Sequence, residues 1–151
     1  MKVIVTGGAG YIGSHTIVEL LAAGFHPIIV DNLCNTDIRN LDGINAITEE
    51  DVKWYNVDCS KKEKLELVFE KERDIIGAIH FAAYKSVEES VCEPEKYYKN
   101  NISSLEMLLD QMIKYKVNNL IFSSSCTVYG TPDQLPVTEG SPFKKAESPY
   151  G

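Results

Sequence analysis

Lys2-Val3-Ile4-Val5-Thr6-Gly7-Gly8-Ala9-Gly10-Tyr11-Ile12-Gly13-Ser14-His15, taken with Pro27-Ile28-Ile29-Val30-Asp31, decides how this chain folds. Val3 to Val5 are a β-branched run closed by glycines, which suits a buried parallel strand ending in a tight turn. The period then changes. Ile12, Thr16, Ile17, Leu20 and Leu21 recur at helical spacing, and Gly24 can end that helix in the left-handed conformation. Pro27 to Asp31 reads as a second strand, so the opening of the chain predicts one βαβ unit.

The glycines satisfy G-x-G-x-x-G (Gly8, Gly10, Gly13) and also G-x-x-G-x-x-G (Gly7, Gly10, Gly13). Placed between strand and helix, they let the backbone turn sharply and approach a pyrophosphate, while the helix N-terminus offers free N–H groups. Asp31, at the end of the second strand, can accept hydrogen bonds from an adenosine ribose and would repel a 2'-phosphate, which favours NAD over NADP. The competing readings are a glycine turn that only tightens packing and a solvated aspartate at a strand end.

The alternation continues outward. A strand is predicted over 53–57, a charged helix over 61–72 and a strand over 75–82. A long helix should start with Pro94 in its first turn and present Tyr98, Ile102, Leu105, Leu109 and Met112 on its apolar face. The fifth strand follows over 119–123, and the Pro- and Gly-broken stretch after Gly130 reads as a surface loop. The fold class is therefore α/β: a doubly wound parallel sheet in a single domain, residues 1–151, ending after the fifth strand and its following loop. Ligands of such sheets lie beyond the carboxyl ends of the strands.

With 151 residues, 44% apolar and 25% charged, the chain can bury one real core. A net charge of -7 with scattered acids argues against nucleic acid as a partner. Cys34, Cys59, Cys92 and Cys126 lie at least 25 residues apart, which fits no zinc or redox pair and no disulfide framework, and the three histidines are equally isolated. No metal site is expected. Lacking an apolar stretch long enough for a bilayer and any leader-like start, the sequence reads as cytoplasmic.

Thr6 to His15 with Asp31-Asn32-Leu33-Cys34-Asn35 resembles the extended short-chain dehydrogenase/reductase family, Rossmann-like proteins, and within it the UDP-galactose (UDP-glucose) 4-epimerases. Further matches are His80 to Val87, Tyr97 to Asn101, Ser123 to Gly130 and Ser148 to Gly151, so the resemblance runs the length of the chain, over the N-terminal part of such an enzyme. It implies NAD as cofactor, with Gly7, Gly10 and Gly13 in the phosphate loop and the amides of Tyr11 and Ile12 at the pyrophosphate. Asp31, Asn32 and Asn35 would surround the adenosine ribose, and Asp58 and Cys59 would meet the adenine. Phe81, Ala82 and Ala83 would line the cleft; Lys85, Asn100, Ser123 and Tyr150 would lie toward the nicotinamide end. Plain surface roles for Lys85, Asn100 and Asp58 are the alternatives.

The resemblance also implies a reaction: oxidation of the sugar at C4 with hydride passing to NAD, then reduction from the other face. Ser125 matches the hydrogen-bonding partner of the 4'-hydroxyl, Tyr150 the general base, and Lys85 a further substrate contact, with Ser124 shaping the site. UDP-glucose and UDP-galactose are the implied substrates, a homodimer the implied assembly and galactose metabolism the setting. Related 4,6-dehydratases carry an acidic pair where this chain has Cys126 and Thr127. The family's Tyr-x-x-x-Lys would put a lysine at position 154, past the 151 residues here. A free tyrosine, with a pKa near 10, is scarcely ionised at neutral pH without such a neighbour. Nothing in the sequence fixes Tyr150, the sheet should expose an apolar edge, and the chain alone is expected to be inactive. A non-catalytic dinucleotide-binding module and another NAD-dependent nucleotide-sugar enzyme remain as alternatives.

Overall fold

In the computed structural model, which describes residues 1–151, the β-branched runs pair as predicted. β1 (Lys2–Thr6), β2 (His26–Val30), β3 (Trp54–Tyr55), β4 (Ile75–His80) and β5 (Asn119–Phe122) form one sheet, parallel throughout, in the order β3-β2-β1-β4-β5. Between them run α1 (Tyr11–Ala22), α2 (Arg39–Thr48), α3 (Lys62–Lys71), α4 (Val87–Cys92), α5 (Pro94–Tyr97) and α6 (Ser103–Lys114). The order reverses between β1 and β4, and a crevice opens there because the crossovers leave β1 in opposite directions.

Alternate side chains of a strand point to opposite faces, and over β1, β2 and β4 both faces are covered. Val3, Val5, Ile29 and Ile79 pack with Ile17 of α1 and Ile44 of α2, whereas Ile4, Ile28, Val30 and Ala78 pack with Leu65, Val68 and Phe69 of α3 and Leu108 and Met112 of α6. Burial of each such Val, Ile, Leu or Phe side chain stabilises the fold by about 1.5–3 kcal/mol. Gly24 ends α1 with φ +79°, and its N–H reaches the Leu21 carbonyl while that of Phe25 reaches Leu20.

Three expectations are corrected. The strand predicted over 53–57 shrinks to Trp54–Tyr55, because only these two residues pair with β2. The long helix after Pro94 is interrupted by a π-helical turn, Tyr98–Ile102, between α5 and α6. Its buried face is also shifted from the predicted one, of which only Met112 is buried. Tyr97, Ser104, Leu108, Gln111 and Met112 are buried, while Tyr98 (53%), Ile102 (50%) and Leu109 (38%) are exposed. The two faces share the same spacing, and hydrophobicity favoured the wrong one because Ser104 meets its hydrogen-bonding needs inside the protein. α2 and α4 were not anticipated at all. The apolar edge is found on β5, where Ile121 and Phe122 are 63% and 52% exposed.

At the amino ends of the strands, away from the crevice, Glu72 is buried and accepts hydrogen bonds from Lys2 Nζ (2.9 Å) and Tyr55 Oη (2.6 Å), with Lys53 Nζ at 2.7 Å. Burial alone would push its carboxyl up; the bonds from Lys53, Tyr55 and Lys2 overcome this and hold it at about 2.

Candidate cofactor cleft

One cleft of about 490 Å³ opens at the carboxyl ends of the strands. Gly7 and Gly13 shape its floor. Gly7 has φ +69°, and a Cβ there would lie 2.7 Å from the Ala82 nitrogen; a Cβ on Gly13 would lie 2.3 Å from the Gly7 carbonyl oxygen. No larger residue lets the β1 and β4 loops and α1 approach this closely. α1 starts at Tyr11 with no acidic residue in its first turn and no side-chain cap on Gly10, so the amides of Tyr11 and Ile12 have no acceptor inside the helix. That is the donor arrangement an anionic group needs.

Asp31 is buried, at 8% exposure. Its Oδ2 accepts from the Ala9 N–H (3.1 Å), and its Oδ1 from Leu33 N–H (2.8 Å) and Thr36 Oγ1 (3.4 Å). The carboxylate therefore ties the glycine loop to the end of β2, a task the sequence reading did not give it. It keeps acceptor capacity beyond these bonds. Asn40 of α2 holds the same Ala9 peptide from its other end, donating from Nδ2 to the Ala9 carbonyl at 2.7 Å. Asn40, Thr36 and Asp37 all line the cleft and were missed, since nothing local in a polar helix start marks it as facing a ligand.

Asn32 closes a turn by accepting from Cys34 N–H (3.1 Å), and Asn35 lines the wall beside it. Asp58 accepts from both the N–H and the Oγ of Ser60 on one oxygen, Oδ1, at 2.9 and 2.7 Å. Cys59 is buried next to it, and burial foremost, then the charges of Asp58 and Asp31, pushes its thiol up to about 12. It is an apolar wall residue rather than a nucleophile. No two cysteines are bonded, and no group of three or more His, Cys, Asp or Glu side chains is arranged to hold a metal ion.

At the end of β4, His80 is buried, with Nδ1 2.7 Å from Thr6 Oγ1, and burial lowers it to about 4, so it is a neutral brace between β1 and β4. Phe81, Ala82, Ala83 and Lys85 follow along the cleft wall; Tyr84 and Ser104, which were not predicted, line it too. Asn100, in the π-helical turn, lines the cleft beside Tyr84 through the Asn101 amide. At the end of β5, Ser123, Ser124 and Ser125 reach the cleft, and so does Tyr150 from the far end of the chain. Ser125 caps the short 3-10 turn Cys126–Tyr129, its Oγ accepting from Thr127 N–H (3.3 Å) and Thr127 Oγ1 (3.0 Å). Tyr150 is half-buried with its ring edge-on to Tyr97, centroids 6.4 Å apart. The expectation that nothing fixes this tyrosine is modified to this extent: its ring meets one buried ring, 53 residues earlier in the chain, edge-on.

A parallel sheet in this order, with a glycine loop over its central strand and one cleft at its switch point, defines a Rossmann-like nucleotide-binding fold. The chain belongs to the family described as GDP-mannose 4,6 dehydratase, whose model matches residues 4–151. It is 46% identical over 150 residues to a UDP-glucose 4-epimerase of Dictyostelium discoideum, covering 99% of this chain and 43% of that protein. Against the UDP-glucose 4-epimerase of Bacillus subtilis (strain 168) it is 46% identical over 151 residues, covering 100% and 44%. Its fold matches the crystal structure of the Bifidobacterium longum UDP-glucose 4-epimerase in complex with NAD+ and UDP, with a TM-score of 0.95, 45% identity and coverage of 99% and 44%. The chain thus spans less than half the length of these relatives. No helix is long and apolar enough to cross a membrane.

Proposed function

We propose that residues 1–151 are the NAD-binding domain of a UDP-glucose/UDP-galactose 4-epimerase. The observation that carries this reading is the convergence of all five strand ends on one cleft, which gathers the glycine loop, Asp31, Asp58, Lys85, Ser125 and Tyr150. The donor set suits the cofactor: unsatisfied amides at Tyr11 and Ile12 for the pyrophosphate, and Asp31, Asn32 and Asn35 for the adenosine ribose. Asp58 and Cys59 suit the adenine, Phe81, Ala82 and Ala83 an apolar wall, and Lys85, Asn100 and Ser123 the nicotinamide end. NAD, when bound, supplies a reversible hydride acceptor.

The protein's own part is proton handling at the sugar 4'-hydroxyl. Tyr150 takes that proton and returns it. Ser125 already accepts two hydrogen bonds, which leaves its own O–H to be donated to the substrate oxygen. The cleft's carboxylates, Asp31, Asp37 and Asp58, all follow β2 and β3, and none follows β5, which supports epimerisation over an elimination that needs an acid beside Ser125. Homodimerisation is supported by the exposed stripe Tyr98, Ile102, Leu109 and Ile113.

Calorimetric titration tests the cofactor reading: NAD is expected to bind at least about tenfold tighter than NADP, since a buried like charge opposes the 2'-phosphate, and Asp31→Ala removes the preference. The chain alone is expected to leave UDP-galactose unchanged. Substituted for the matching residues of the Bacillus subtilis relative, it is expected to restore turnover, and Tyr150→Phe there to lower kcat about a hundredfold or more. Equal affinity for both dinucleotides, or an inert chimera that binds NAD, would sink the respective half of the proposal.

A further inference from the structure

Lys85 is exposed at the cleft and forms no ion pair, yet the backbone on either side of it is held by side chains from a single stretch of helix. Before it, Asn101 grips the Tyr84 peptide at both ends: Oδ1 accepts from Tyr84 N–H at 2.9 Å, and Nδ2 donates to the Tyr84 carbonyl at 2.9 Å. After it, Tyr97 Oη accepts from Ser86 N–H at 3.0 Å and donates its own hydrogen to Glu89 Oε2 at 2.7 Å. Glu89 is held in turn by Lys96, and its N–H reaches Ser86 Oγ at 3.2 Å, capping α4. Lys96 Nζ also lies 4.9 Å from the centroid of the Tyr84 ring.

Tyr97 is 1% exposed, and its ring contacts both Tyr84 (centroids 5.8 Å) and Tyr150 (6.4 Å). It bounds the π-helical turn that Asn101 lies within, and π turns recur at functional sites because the added residue redirects neighbouring side chains. Here Asn100 reaches the cleft, while Asn101 turns to the Tyr84 backbone. Asn100 lines the cleft and donates to Asn101 Oδ1 at 2.9 Å, which orients the amide that grips Tyr84. The polar bonds at this segment converge on residues 84, 86 and 89, whose backbone or side chains flank the lysine.

We propose that Tyr97 and Asn101 are positioning residues: together they clamp the backbone on both sides of Lys85 and tie that lysine and the Tyr150 ring to one helical segment anchored by the buried Tyr97. The clamp is a property of the free chain; its purpose, holding Lys85 toward the nicotinamide end of NAD, rests on the function proposed above. A lysine's flexible stem otherwise spreads its charge over many rotamers, so fixing the backbone at both neighbours narrows where the ammonium can go.

Two measurements test this. In amide hydrogen exchange on the ligand-free chain, Tyr97→Phe is expected to speed exchange of the Ser86 amide, and Asn101→Ala that of the Tyr84 amide, each by about tenfold, with the amides of β1 and β4 unchanged. Unchanged rates at both amides would mean there is no clamp. In a double-mutant cycle on NAD affinity, Tyr97→Phe is expected to weaken binding about threefold to tenfold in the native background and less than about twofold once Lys85→Ala is present. Equal losses in both backgrounds assign Tyr97 a general structural role and overturn the positioning claim. A native chain that does not bind NAD refutes the proposed function and the clamp's purpose with it, while the exchange rates still decide whether the clamp exists.

Discussion

Replacing Glu72 with Gln should remove stability that depends on pH in a defined window. The carboxyl moves from an ordinary value of 4.5 to about 2 in the folded chain, a difference worth about 3 kcal/mol in favour of the charged form. Two of its three partners are ammonium groups in contact with water, Lys53 at 58% and Lys2 at 34% side-chain exposure, so screening reduces this to about 2 kcal/mol. A group whose pKa falls on folding contributes in full above its unfolded value and loses that contribution as protons bind the folded state. The gap between the native chain and Glu72→Gln is therefore about 2 kcal/mol at pH 7 and closes between about pH 4.5 and pH 2. The exposed Asp37–Arg39 pair also titrates in this range but is common to both proteins and cancels in the difference. Trp54, the only tryptophan, lies on β3 with its Nε1–H donated to the Asp31 carbonyl at 3.1 Å, and its fluorescence follows urea unfolding directly. With a denaturant slope of about 2 kcal/mol per molar, the midpoint should fall by about 1 M at pH 7 and by only about a quarter of that near pH 2.5, where the folded carboxyl is close to its own titration. Equal midpoints at pH 7, or a gap that stays constant down to pH 2.5, would refute the charge-based account of this cluster.

Gly13→Ala drives a Cβ against backbone atoms, 2.3 Å from the Gly7 carbonyl oxygen and 2.7 Å from Gly8 Cα, neither of which can swing aside. It should cost about 1–3 kcal/mol in the same urea assay and abolish NAD binding, whereas Gly43→Ala in α2, with nothing within 4 Å of its Cβ, should be neutral or stabilise by up to about 1 kcal/mol. Ile113, 77% exposed on α6, carries the proposed dimer stripe, so Ile113→Lys should turn an associated chain monomeric in sedimentation equilibrium with its circular dichroism unchanged. An unaltered sedimentation mass would place the interface elsewhere.

The local pattern alone determined the βαβ opening, the parallel α/β class and the strand ends where a ligand can sit. A β-branched run, a helical repeat and a glycine turn are each set by neighbours within a few residues. Every site residue read from the motifs lines one cleft for the same reason, since crossovers of a parallel sheet bring all strand ends to one side. Tertiary structure decided what depends on distant partners. Ser104 lies on the buried face of α6 while Leu109, like Ile102 in the turn before it, faces outward, because the Ser104 hydroxyl finds an acceptor in the carbonyls of Asn101 and Ala82, which hydrophobicity along the chain does not register. Asn40 marks no motif, yet it anchors the Ala9 peptide 31 residues away, and Asp31 does so from the other side. Tyr97 and Asn101 acquire their task only when the loop after β4 folds back over the π-helical turn. Tyr150, the residue whose motif is most legible, meets a ring that no spacing rule connects to it. Period and turn chemistry are local and can be read along the chain; which of two equivalent faces is buried, and which polar group finds a partner, is settled only when surfaces far apart in sequence meet.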